Sequence, residues 1–263
     1  MKSITVNHST FAVADRGQGS PIVFAHGFPL NHTMWEAQLA ALEGSHRVIA
    51  PDLRGFGRSD VTPGKVTMAQ MADDCAAMLD ELEITEPVTF VGLSMGGYVA
   101  WQFALRHAAR LGKLVLCDTR AVADTPQGVE TRLKMAELVL KHGTISVADA
   151  MLPKLFAEPT RERHPHVIDA VRQMILRAEP EGVAAAQRGM AERPDVTGEL
   201  AKIAVPTLVI CGEHDAISPL AEMRLIAESI PGAKLAVIAD AGHMAPMENP
   251  VAVNEALRAF LAR

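Results

Sequence analysis

The sequence predicts an α/β fold, a mostly parallel sheet with helices on both faces. Three observations predict it: short apolar runs too continuous for half-exposed strands, helical patterns with recognisable starts between most of them, and the alternation of the two along the chain. The runs are 21–26 (PIVFAH), 46–52 (HRVIAPD), 87–92 (PVTFVG), 113–118 (KLVLCD), 207–212 (TLVICG) and 234–240 (KLAVIAD). Ahead of them, SITV and FAVADRG lie close enough to pair antiparallel at one edge. Thr33 with Glu36 opens one helix as a capping box, and Thr67 with Gln70 opens another that runs to about Leu82. Ser218 before Pro219, and Asn249 before Pro250, read as N-caps followed by proline in the first turn. One interval, 121–195, holds only helix-like patterns, each with apolar residues spaced for one buried face. It is expected to be a helical insertion packed on a sheet domain made of 1–120 and 196–263.

Composition excludes several function classes. With 49% apolar and 21% charged residues the chain is neither disordered nor fibrous. The 25 basic and 31 acidic side chains leave a net charge of −6, so no broad positive field exists for phosphate backbones or anionic lipid. Nucleic-acid and membrane binding are not expected. No stretch approaches the roughly 18 apolar residues of a spanning helix, and MKSITVNHST lacks a signal-peptide core, so a soluble, cytoplasmic protein is expected. Cys75, Cys117 and Cys211 fit neither a disulfide framework nor a zinc spacing and read as buried thiols. His164 and His166 flank Pro165, which should point them apart, and no metal site is expected there. The two glycines of PDLRGFGRSD lack a third at dinucleotide spacing, and this segment reads as a loop held by Arg54 and Asp60.

The chemistry concentrates in VTFVGLSMGGYVAWQFALRH, where a buried strand runs through Gly-Leu-Ser-Met-Gly straight into a helix. So tight a turn strains the serine backbone and leaves room only for glycine at Gly92 and Gly96, which lifts the Ser94 hydroxyl above the sheet edge. A hydroxyl needs a base to become a nucleophile, and the base needs an acid to orient it. His243 lies on a loop beyond the last strand-like run, whereas His107, His142, His164 and His166 fall in helical or insertion segments. Two aspartates end strands, Asp118 and Asp215, and either can reach the imidazole. Asp215 is preferred because it follows the strand nearest His243 in sequence, which leaves Asp118 facing the pocket or the hinge of the insertion. An oxyanion would be met by the backbone N–H of Met95, at a helix start, and by that of Phe28 in FAHGFPL, where Pro29 has no N–H to offer. His26 ends a strand beside Gly27 and is read as an orienting residue.

The motifs HGFPL, PDLRGFGRSD, GLSMGGYVA, GEHD and AGHMAPMENP together resemble the α/β-hydrolase superfamily over essentially the whole chain. The chain is most similar to small carboxylesterases of the planctomycete type, and more distantly to enol-lactone hydrolases of the 3-oxoadipate type. The resemblance implies an eight-stranded sheet, a helical cap formed by 121–195, a Ser94–His243–Asp215 triad, oxyanion donors at Phe28 and Met95, and substrate contacts at Leu30 and Met244. It implies no cofactor. Serine at the nucleophile position disfavours the dehalogenase and epoxide hydrolase branches.

The expected activity is that of a carboxylesterase acting on small esters with short acyl chains, as a monomer or small homo-oligomer. A rival on the same fold is an enol-lactone hydrolase, which needs a cationic clamp from residues such as Arg54, Arg120 or Arg161. A rival of another class is a slow-turnover ligand-binding homologue.

Overall fold

The computed structural model describes residues 1–262. Eight strands form one sheet: β1 (Lys2–Val6), β2 (Ser9–Arg16), β3 (Pro21–Ala25), β4 (Arg47–Pro51), β5 (Val88–Leu93), β6 (Leu111–Cys117), β7 (Thr207–Gly212) and β8 (Lys234–Ile238). Their spatial order is β1-β2-β4-β3-β5-β6-β7-β8. β1 pairs antiparallel with β2, and β2 antiparallel with β4. From β4 to β8 all neighbours are parallel, so the carboxyl ends of six strands share one edge. The chain leaves β3 for β4 on one side and returns to β5 on the other, and such a reversal of strand order opens a crevice beyond the carboxyl ends.

Helices α1 (Glu36–Leu42), α2 (Met68–Glu81), α3 (Met95–Arg106), α9 (Leu220–Ser229), α10 (Ala245–Glu248) and α11 (Pro250–Leu261) accompany the sheet. The caps at Thr67 and Asn249 form as the sequence predicts, their side chains accepting from the backbone N–H groups of Gln70 and Ala252. Two others differ. Asn31, not Thr33, accepts the first free N–H before α1, because a short 3₁₀ turn over His32–Trp35 moves the helix start two residues upstream. Ser218 caps nothing; α9 opens on Pro219, and the Ser218 hydroxyl turns inward instead. β8 also departs from the expectation of a strand covered on both faces. It is the last strand of the sheet, and its Val237 is 42% exposed.

Between β6 and β7 run α4 (Pro126–His142), α5 (Ile145–Leu155), α6 (Glu158–Arg163), α7 (Pro165–Leu176) and α8 (Pro180–Ala191). The sequence signals four of them; α6, EPTRER, has no apolar stripe to reveal it. These helices rest on loops at the carboxyl edge. The Met244 N–H donates to the Leu155 carbonyl at 3.3 Å, the Val66 N–H to that of Ala185 at 3.1 Å, and the Thr33 hydroxyl contacts Met174 Sδ at 3.4 Å. Gly55 and Gly182 meet backbone to backbone, at a distance no side chain would allow.

The loop after β4 is held as expected, by Arg54 and Asp60. Asp60 accepts the Thr10 N–H at 2.7 Å. Arg54 makes a bidentate pair with Asp74 of α2, both bonds 2.7 Å, with side chains only 3% and 1% exposed. Removing one member of a buried pair strands the other without a counter-charge. Asp74→Ala should therefore lose about 3–5 kcal/mol of unfolding free energy, read as a lower midpoint in urea.

Candidate active site

β5 ends at Leu93, and the next residue has φ 52° and ψ −110°, a left-handed conformation that costs a non-glycine residue about 1–3 kcal/mol. That residue is Ser94. Its N–H is held by the Cys117 carbonyl at 3.0 Å and its carbonyl by the Thr119 hydroxyl at 2.8 Å. A Cβ on Gly92 would collide with the Gly96 carbonyl, and one on Gly96 with the carbonyls of Ala25 and His26. The first turn of α3 thus lies directly against the loop leaving β3, which carries Phe28. The backbone N–H groups of Phe28 and Met95 take no backbone acceptor among the described residues, so both stay available at this junction, Met95 at the positive end of α3.

The loops after β7 and β8 bring Asp215 to His243. The imidazole Nδ1 lies 2.9 Å from Asp215 Oδ2 and 3.1 Å from Oδ1. Asp215 also accepts from the N–H groups of Ile217 at 2.7 Å and Ser218 at 3.1 Å and from the Ser218 hydroxyl at 2.6 Å. Burial works to raise its carboxyl, but the contact with His243 and these donors outweigh burial and hold it below the ordinary aspartate value. Asp215 is therefore ionised. With Nδ1–H donated to it, Nε2 of His243 is left as the ring's acceptor. Ser94 is half-buried, and among the described residues its hydroxyl bonds to neither His243 nor any other group. Such contacts commonly tighten only when substrate binds.

The other predicted residues fall around this edge. Phe28, Leu30, Met95 and Met244 are all buried, and Phe28 packs edge-on against Phe56. His26 is fully buried, with Nδ1 2.9 Å from the Gly27 carbonyl and Nε2 accepting the Leu53 N–H at 3.0 Å. It ties the loops after β3 and β4 together, and burial lowers its pKa to about 4. Asp118 does not face the pocket or the insertion hinge as expected. It is wholly buried, and Oδ1 accepts the Gly212 N–H. The rings of His164 and His166 do not point apart: they meet edge to face at 5.8 Å.

The three arginines weighed as an anion clamp are engaged elsewhere. Arg54 holds Asp74, Arg120 pairs bidentately with Glu222 at 2.7 and 2.8 Å, and Arg161 donates to backbone carbonyls of Phe156, Leu152 and Pro153.

Sequence reasoning missed Glu248. One carboxylate oxygen accepts the N–H groups of Gly242 at 2.8 Å and Met244 at 3.1 Å, on both sides of His243. The other accepts the Ala157 N–H at 2.9 Å and the Thr160 hydroxyl at 2.7 Å, in the insertion. One side chain thus couples the His243 loop to the inserted helices. Its sequence setting, an acid just before Asn-Pro, gives no sign of burial.

Comparisons with known proteins establish the family. Residues 20–250 match the family model described as alpha/beta hydrolase fold. The chain belongs to the alpha/beta hydrolase family. A thermophilic esterase from Thermogutta terrifontis, solved with malate bound, is 48% identical with a TM-score of 0.98, covering 100% of this chain and 98% of that one. The enol-lactonase structure from Burkholderia xenovorans is 31% identical with a TM-score of 0.92, and each chain is covered completely. Among curated relatives, 3-oxoadipate enol-lactonase 2 of Acinetobacter baylyi is 29% identical over 262 residues, 100% of this chain and 95% of its own length. No described helix of this alpha/beta hydrolase is long and apolar enough to cross a membrane.

Two predictions follow from this geometry. His26 titrates near 6.5 when unfolded and near 4 when folded, so its contribution to stability is complete above pH 6.5 and is lost as the pH falls towards 4. The loss should be on the order of 3 kcal/mol, and His26→Gln should flatten it, as urea midpoints at pH 7 and pH 4.5 would show. Glu248→Gln puts an amide NH₂ against backbone donors, which should cost about 1–3 kcal/mol in thermal unfolding and lower turnover with secondary structure intact.

Proposed function

We propose that this hydrolase is a carboxylesterase that cleaves small, short-acyl carboxylic esters through an acyl-enzyme on Ser94. The observation that carries the reading is the buried Asp215–His243 contact, which commits Nδ1 and leaves Nε2 to act as base at the edge where Ser94 stands. Ser94 attacks the ester carbonyl while His243 takes its proton. The Phe28 and Met95 N–H groups receive the developing oxyanion, each such donor being worth roughly 2.7–4 kcal/mol. His243 then gives its proton to the leaving alcohol and activates the water that releases the acid. The five inserted helices act as a cap, with Leu30 and Met244 lining the acyl and alcohol sites. The likeness to the Thermogutta esterase supports this substrate class. No step calls for a cofactor.

A second reading is hydrolysis of a carboxylated enol-lactone, the activity named for two of the relatives. One observation favours it. A cavity of about 650 Å³ beside Leu30 is bordered by His32, Arg58 and Arg177, and neither guanidinium has a carboxylate partner among the described residues. The Arg58 N–H donates to Asp52, which also holds His32 Nδ1 at 2.6 Å.

A panel of neutral aryl esters of graded acyl length, run beside carboxylated lactones, tests both readings. Short neutral esters should turn over fastest; faster lactone cleavage that collapses in Arg177→Ala would establish the second reading. Ser94→Ala should lower turnover by about 10⁶ and Asp215→Asn by about 10⁴. Ester cleavage that survives Ser94→Ala would refute both.

A further inference from the structure

A second buried carboxyl lies behind the proposed triad. Asp118 follows β6, which sits next to β7, and has a φ of 44°. It has no solvent exposure, and its carboxyl oxygen and one of Asp215 lie within 4.8 Å of each other. Two carboxylates so close in a dry site do not both ionise. The donors decide which one does. Asp215 receives two backbone N–H groups, the Ser218 hydroxyl and His243. Among the described residues Asp118 receives a single N–H, from Gly212 on Oδ1, and its Oδ2 is buried with no partner. An unpartnered, fully buried carboxylate oxygen is costly, whereas a hydroxyl there has an acceptor in reach.

We propose that Asp118 is a positioning residue: a neutral carboxylic acid that carries its proton on Oδ2 and directs it at the Asp215 carboxylate. It supports the triad aspartate without adding a second negative charge beneath His243. Burial first, and then the charge of Asp215, push the Asp118 carboxyl far above the ordinary aspartate value, in agreement with the geometry. The other groups facing it do not change this balance. The thiols of Cys117 and Cys211 are pushed up by burial and stay protonated, and Glu248, whose carboxyl burial raises in spite of its four donors, pushes Asp118 in the same direction.

The proposal rests on the triad reading but can fail separately. Carboxyl-¹³C-aspartate labelling of the whole wild-type protein, with infrared spectra at pH 8, should show a carboxylic-acid C=O band that is absent from Asp118→Asn. Absence of that band from the wild type would overturn the proposal, and this result needs no active variant. Kinetics supply the sign. Asp118→Asn keeps a donor facing Asp215, so turnover should stay within about threefold and the acid limb of kcat/KM should not move. Asp118→Ala removes the donor, concentrates charge on Asp215 and should shift that limb upward. If Asp118 is instead ionised, both variants remove a negative charge near the imidazole and the limb falls in both, which would overturn the proposal. A loss of about 10⁴ in Asp118→Asn with little loss in Asp215→Asn would make Asp118 the partner of His243 and would sink both assignments. Turnover retained by Ser94→Ala would sink the triad alone, leaving the spectrum to judge Asp118.

Discussion

Everything at this edge depends on how closely backbone can approach backbone at the end of β5. Without side chains, Gly92 and Gly96 let the turn after Leu93 close on itself and let the first turn of α3 press against the carbonyls of Ala25 and His26. The strained Ser94, the free amide of Met95 and the loop carrying Phe28 share that one contact. A single methyl group at Gly96 would separate them. The strain at Ser94 is sustained because both of its peptide groups are held by the neighbouring strand end, at Cys117 and Thr119.

The parallel sheet then fixes where polar groups are needed. Each of its six carboxyl ends delivers a loop to the same rim, and loop amides there have no ladder to join. Buried acids collect those amides. Asp52 takes the N–H groups of His32 and Arg58, Glu248 those of Gly242, Met244 and Ala157, and Asp215 those of Ile217 and Ser218. Donor supply separates their chemistry. Asp215 has enough donors to stay charged at 6% exposure, while Asp118, one strand away, has one.

This arrangement also explains how an insertion of five helices becomes part of the edge. Its seat is made of backbone contacts to loops after β4 and β8 and of one carboxylate, Glu248, which binds the insertion and the His243 loop together. Leu30 and Met244 are buried at the same rim.

The alternation of strands and helices, the bend at Ser94 and the identity of Asp215 and His243 as strand-end residues are all legible in the amino-acid order. Those features are local, set by runs of apolar residues and by glycines beside a serine, and each is visible within a few positions of the chain. Caps at Thr67 and Asn249 were legible for the same reason, whereas Ser218 has the same local look and is recruited by Asp215 instead. The outer position of β8, the engagement of Arg54, Arg120 and Arg161 away from the site, the seat of Glu248 and the burial of Asp118 near Asp215 emerge only on folding. These depend on which distant segments meet, and the charge on a buried acid is set by donors that come from elsewhere in the chain.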